Sequence, residues 1–233
     1  MRVLVIHTST HAVELSSSAA LARAAAQRMQ DVVPGAEFRL IDASKLHIVH
    51  NLSCYANGMS HCADPAAGPY RCWAQHLSAK TPAKFGGVDQ MPVIYDGLQW
   101  ADVVIFSTST RWGSHSALCQ KIIERMNNLE NRAVAYGEPY PMLGKRLGVV
   151  CTGVDWRTDR AASNLLDALR WWGFATMPGM DCALYWQRSM DPYFEQPDNS
   201  KPYLERWTLT RNGRHAIDAF VRNVLAADTT TVV

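Results

Sequence analysis

No stretch of this chain is apolar for long enough to span a bilayer, and no block of like charge interrupts it. The net charge is only +2 over 233 residues, with the arginines scattered. That balance argues against a nucleic-acid or membrane surface. Neither G-x-G-x-x-G nor G-x-x-x-x-G-K-[ST] occurs, so no dinucleotide fingerprint and no nucleoside-triphosphate loop is indicated. No C-x-x-C pair is found among the six cysteines. Internal repeats are absent, and no linker separates one core from another. The opening run Met1 to Ile6 is too short for a signal peptide. A cytoplasmic protein is therefore expected, with thiols rather than disulfides.

What the chain does have is an ordinary globular composition, 48% hydrophobic, in alternating segments. Arg2 to His7 and Ala36 to Ile41 read as strands, with an alanine-rich helix from Ser17 to Gln30 between them. Val103-Val104-Ile105-Phe106 and Arg146 to Cys151 are β-branched runs of the kind buried in a parallel sheet. A short helix near Tyr95 to Trp100 precedes the first of these. Helices from Ser114 to about Asn128 and from Arg160 to Trp172 follow them. Phe174 to Pro178 with Met180 to Leu184 supplies a weaker fifth strand, and Asn212 to Ala227 a last helix.

Such alternation predicts a single domain of residues 1–233: an α/β three-layer sandwich with a five-stranded parallel sheet. Right-handed crossovers leave few topologies, and five strands so arranged fit the flavodoxin-like order 2-1-3-4-5. Two stretches stand outside the pattern. From about 43 to 91 the sequence dissolves into Gly, Pro, His and Cys, reading as one long loop. From about 185 to 233 it reads as an arm, polar and proline-containing at Asp191 to Pro202, followed by the last helix.

In this order three loops meet at the carboxyl edge of the sheet: Thr8 to Ser18, Ser107 to Ser114, and Thr152 to Asp155. The first carries Ser9, His11, Ser16, Ser17 and Ser18 directly before a helix. Unpaired amides and the positive dipole end there suit a phosphate, although serines at a helix start are also good caps without any ligand. The second, Thr108-Ser109-Thr110-Arg111-Trp112-Gly113-Ser114, suits a flat polar ring such as an isoalloxazine. Its turn amides can donate to the ring edge, Trp112 gives an aromatic wall, and Gly113 allows close approach. Thr152 and Gly153 border the same place.

Together these residues resemble the NAD(P)H-dependent FMN reductase family of flavodoxin-like flavoproteins. After its first strand that family has a G-S-x-R-x-x-S-x-[NT]-like phosphate loop, which Thr8 to His11 with Ser16 to Ser18 resembles. After its third strand it has a T-P-x-[YF]-x-G-S-like turn, then a helix with a lysine and an acidic-arginine pair. Thr108 to Ser114 and Glu124-Arg125 occupy those places. Ser109 stands where proline is usual, Gln120 where lysine is common, and His11 near the phosphate where arginine or proline is usual. The resemblance implies FMN as cofactor and NAD(P)H as transient co-substrate. It further implies ping-pong hydride transfer to a quinone, flavin or other small acceptor, and a homodimer or homotetramer. No catalytic side chain is expected, because flavin carries the chemistry.

Cys119, Cys151 and Cys182 lie in helix or strand contexts and are expected as buried thiols. Cys54, Cys62 and Cys72 share the irregular segment, separated by seven and nine residues. Iron–sulfur flavoproteins carry a compact four-cysteine motif in that interval, so a cluster protein is one rival reading. Zinc held with His61, His50 or His76 has poor spacing, and no metal is expected. A flavodoxin-like electron carrier is a second rival, though such carriers tend to be strongly acidic.

Overall fold

The computed structural model describes residues 1–54, 70, 72–154, 156–188 and 201–229. Five strands form one parallel sheet in the order β2-β1-β3-β4-β5. They are β1 (Arg2–His7), β2 (Glu37–Asp42), β3 (Val103–Ser109), β4 (Arg146–Val154) and β5 (Ala183–Arg188). Covered on both faces, Val3 to Ile6 and the whole of β3 are buried, which is why both read as unbroken apolar runs. This is the flavodoxin-like order expected from the sequence.

Helix α1 (Ser17–Val32) packs on β1, β3 and β4 together with the C-terminal pair α7 (Lys201–Leu209) and α8 (Arg211–Ala226). Helices α4 (Met91–Trp100), α5 (Ala117–Tyr136) and α6 (Thr158–Trp171) flank the sheet as well; α4 touches β1, and α6 touches β4 and β5. Helix α5 starts at Ala117, later than its apolar spacing suggested, because the Ser116 hydroxyl caps the Cys119 amide at 3.1 Å. It then runs to Tyr136, where Gly137 closes it in the left-handed region.

The stretch 43–91, expected as one long loop, contains a 3-10 turn at Ala43–Lys45 and helices α2 (Trp73–Lys80) and α3 (Pro82–Phe85). Its two ends run side by side. His47 and Gln90 exchange backbone and side-chain hydrogen bonds at 2.8 Å, and the Val49 amide donates to Asp89 at 2.9 Å. One buried ion pair pins both to α5: Arg125 meets Asp89 at 2.7 Å and donates to the Val49 carbonyl at 2.6 Å. The fifth strand begins at Ala183, not at Phe174. Ala175 makes an isolated bridge to Arg146, and the chain then turns through Pro178 and a left-handed Gly179. The stretch read as a loop or arm, Asp191 to Pro202, ends early: a helix not foreseen from sequence begins at Lys201, and residues 189–200 lie outside the described ones.

Candidate functional site

Strand ends β1, β3 and β4 place the three polar loops side by side. Thr8 donates from both its amide and its hydroxyl to the Ser107 carbonyl, at 2.8 and 3.0 Å. Ser9 Oγ reaches Ser109 Oγ at 3.4 Å. Ser116, which the sequence reading passed over, is the hub. Its hydroxyl donates to the Thr8 carbonyl at 2.5 Å, and its amide donates to Thr108 Oγ1 at 3.1 Å. On the other side the Thr110 amide donates to the Thr152 carbonyl at 2.8 Å.

In the first loop Ser16 caps α1, accepting from the Ala19 amide. The Ala20 amide goes to the Ser16 carbonyl, so the helix leaves the Ser17 and Ser18 amides unused by its own turn. No acidic residue lies in that turn. Ser9, Ser16 and Ser18 are buried, with Ser16 and Ser18 hydroxyls 3.0 Å apart; their side chains hold the loop. Ser17 is half-buried, and His11 is exposed.

His7, also missed from sequence, sits wholly buried under this loop. Its Nε2 lies 3.2 Å from the His11 carbonyl and, as the N–H, donates to it. Burial holds the imidazole below its ordinary pKa of 6.5, against the opposing pull of that hydrogen bond. The unfolded chain therefore takes up the proton more readily than the native one. This residue's contribution to stability is whole above pH 6.5 and declines as pH falls below it. Thermal melts of the native protein and of His7→Gln should accordingly diverge less at pH 5 than at pH 7.5. A gap independent of pH would show that His7 is not held neutral.

The second loop is a two-residue hairpin. Arg111 and Ser114 exchange backbone bonds at 2.7 and 3.0 Å, with Trp112 at φ 51° and Gly113 at φ 73° between them. Two positive φ values are the signature of the type I′ turn. Among the described residues the central amides of Trp112 and Gly113 donate to no backbone carbonyl. Trp112 is 93% exposed, an aromatic wall rather than a core residue. Arg111 is exposed and its guanidinium reaches back to Thr10 Oγ1 at 3.3 Å, which brings a cation over the first loop.

At the third loop Gly153 passes between two threonines. A Cβ there would lie 2.3 Å from Thr158 Oγ1 and 2.9 Å from Thr110 Oγ1. Both hydroxyls are buried without a hydrogen-bond partner among the described residues. Asp155 lies outside the described residues. Beyond it, sequence reading missed a surface feature. Trp156, Arg157 and Arg160 border a cleft of about 450 Å³ against Trp112 and Gly113. The signal was present as W-R-T-D-R directly after a strand, an aromatic and two arginines three apart at a helix start.

Cys119, Cys151 and Cys182 are buried thiols, and burial pushes Cys119 up to about 12. Among the described residues no group of three or more His, Cys, Asp or Glu side chains is gathered to hold a metal. Cys62 and His61 lie outside them. No described helix is long and apolar enough to cross a membrane.

A family model described as NADPH-dependent FMN reductase matches residues 1–185. A search among curated protein sequences finds no match. Solved structures share the fold. RosB with bound 8-demethyl-8-formylriboflavin-5'-phosphate is 14% identical at TM-score 0.61, over 97% of this chain and 79% of that one. The FMN-dependent NADH-azoreductase of Bacillus anthracis strain Ames Ancestor, in complex with FMN, is 9% identical at TM-score 0.53, over 97% and 98%. The apo form of an NADH:FMN oxidoreductase is 15% identical at TM-score 0.52, over 100% and 94%. At such identities the likeness is one of fold.

Proposed function

This chain belongs to the NADPH-dependent FMN reductase family, and on that footing we propose that its three-loop edge holds FMN. The protein is an oxidoreductase that uses FMN and NAD(P)H. One observation carries the placement. The unused amides at the start of α1 and those of the Trp112-Gly113 turn follow neighbouring strand ends, stitched by Ser116.

The residues present fit the group. The Ser17 and Ser18 amides and the positive end of α1 would take the phosphate, with His11 at the rim. Arg111, whose guanidinium reaches Thr10, brings a permanent cation over the first loop. Turn amides, together with the unpartnered hydroxyls of Thr110 and Thr158 near Gly153, suit the carbonyl and nitrogen edge of the ring. Buried Ser9, Ser16, Ser18, Thr108 and Ser109 act as positioning residues, because their hydroxyls are already engaged with one another and with neighbouring amides. Ser114 and Thr152 complete the frame.

Bound there, FMN would supply the hydride chemistry, between NAD(P)H and a quinone, flavin or other small acceptor, in ping-pong turnover. The protein orients the ring and tunes it through donors aimed at the edge where negative charge develops. A cytoplasmic homodimer or homotetramer of single-domain subunits completes this reading.

Titration of the purified protein with FMN should give saturable binding at one site per chain, and anaerobic NADPH should bleach the flavin band. Failure to bind FMN overturns the reading, and binding without bleaching by NADPH or NADH favours an electron carrier. Ser17→Asp is the sharper probe. A carboxylate in the first turn favours the helix dipole, so the melting temperature should hold or rise. The same charge beside the phosphate should weaken FMN binding by about tenfold or more, equivalent to roughly 1.4 kcal/mol. Unchanged affinity would place the phosphate elsewhere.

A further inference from the structure

We propose that His7 is a positioning residue for the flavin phosphate: it holds the His11 carbonyl and so presents the Ala12 amide to that group. The inference rests on the placement of FMN proposed above.

His7 closes β1 after the apolar run Val3 to Ile6 and is wholly buried, as they are. A polar ring in such a place costs free energy unless its nitrogens find partners. The partners come from two sides. Ser107 Oγ on β3 lies 3.5 Å from Nδ1, and the His11 carbonyl in the first loop lies 3.2 Å from Nε2. Burial favours the neutral imidazole, which carries a single N–H. A carbonyl only accepts, so that proton stands on Nε2 and leaves Nδ1 to face the serine hydroxyl.

The consequence falls on the next peptide. In a trans peptide the C=O and N–H point in opposite directions, and no cis bond occurs among the described residues. With the His11 carbonyl drawn onto His7, the Ala12 N–H is turned away from the buried ring. It donates to no backbone carbonyl among the described residues, and Ala12 is only half-buried. The groups on either side are engaged. The His11 amide donates to Ser9 Oγ at 3.4 Å, and the Ala12 carbonyl accepts from the Leu15 amide at 3.0 Å.

The peptide plane is thus set from both ends with its amide left over. That amide belongs to the loop that runs on to the Ser17 and Ser18 amides, which α1 does not use. Several amides left without acceptors in one loop form a concavity suited to an anion. A phosphomonoester carries nearly two negative charges near neutral pH and three acceptor oxygens, so it can take a third donor. His7 itself is covered and acts through the peptide. Leucine would fill much of the same space yet leave the His11–Ala12 peptide free to turn over.

Fluorescence titration of the flavin-stripped protein with FMN and with riboflavin, which lacks the phosphate, separates this role from a merely structural one. His7→Leu should lose about tenfold in FMN affinity, the share of one charge-assisted hydrogen bond. Its riboflavin affinity should stay unchanged. His7→Gln, whose side-chain amide can donate to the same carbonyl, should recover most of the FMN affinity. In nuclear magnetic resonance of the isotope-labelled native protein, the Ala12 amide proton should move downfield with FMN and stay in place with riboflavin. This measurement needs no variant, so it decides the matter even where His7→Leu does not fold. Absence of FMN binding by the native protein would overturn the flavin reading itself. With FMN bound, an Ala12 amide that gives the same response to both flavins overturns the role of His7. Equal losses of FMN and riboflavin affinity in a folded His7→Leu protein overturn it too, as does a glutamine variant no better than the leucine one.

Discussion

Replacing Arg125 by methionine should destabilise the protein by about 3–5 kcal/mol, the range for breaking a buried ion pair from one side. The side chains of Arg125 and Asp89 are 3% and 0% exposed, and their closest atoms are 2.7 Å apart. Methionine fills much of the volume but leaves the Asp89 carboxylate buried with, among the described residues, only the Val49 amide on one oxygen. The Val49 carbonyl loses its 2.6 Å donor at the same time. For a domain of ordinary stability, about 5–15 kcal/mol, this is a large share.

Urea unfolding followed by circular dichroism would measure the loss, and the double variant Arg125→Met with Asp89→Asn should recover some of it by removing the stranded charge. A single-variant loss below about 1 kcal/mol would show that the pair contributes little beyond a surface bridge. The resemblance to a family with an acidic-arginine pair on this helix acquires a structural reason here. Arg125 does not face the three loops; it ties residues 49 and 89 to α5. Its neighbour helps, since the Glu124 carbonyl accepts from Asn51 at 2.8 Å.

Gly113→Val is expected to have the largest effect on flavin content. The turn demands a positive φ of 73° at this position, and a β-branched residue there is strained by about 1–3 kcal/mol. A Cβ would also stand 3.0 Å from Trp156 Nε1 before either methyl group is added. The hairpin must open, taking the Trp112 and Gly113 amides out of place, and the indole of Trp156 must move. FMN affinity should fall by about tenfold to a hundredfold, in line with that strain. Gly113→Asn separates strain from crowding. Asparagine tolerates the left-handed region, so it should keep more flavin than valine does. The measurement is flavin absorbance per protein after dialysis. Full retention by the valine variant would mean that the ring does not approach this turn.

How much of this is readable along the chain depends on whether the controlling contact is local. Strands β1 and β3 are covered on both faces, so burial writes itself into continuous runs such as Val3 to Ile6 and Val103 to Phe106. Strand β5 lies at the sheet edge, with burial that changes from residue to residue along Ala183–Arg188. That pattern gives no comparable signal, and the more apolar Phe174 and Ala175 draw the reading to the wrong place. The serines before α1 announce a helix start, yet which of them lies open cannot be read from their spacing. Ser16 and Ser18 turn inward to each other, and Ser17 remains within reach of a ligand.

Local pattern was enough for the class of fold and the order of its strands. Alternating periodicity and right-handed crossovers depend on neighbours along the chain and on handedness common to all L-peptides. It was enough, too, for the finding that three hydroxyl- and glycine-bearing turns follow the first, third and fourth strands. What those turns have in common came only with folding. Ser116 joins loops about a hundred residues apart in sequence, through Thr8 and Thr108. The same holds for Arg125 and Asp89, which order a stretch that reads as irregular, and for Trp156 and Arg160, which meet Trp112 only when β3 and β4 pair. The hydrogen bonds and charges that join such residues act over a few ångströms, and no local pattern in the chain records which distant groups will come that close.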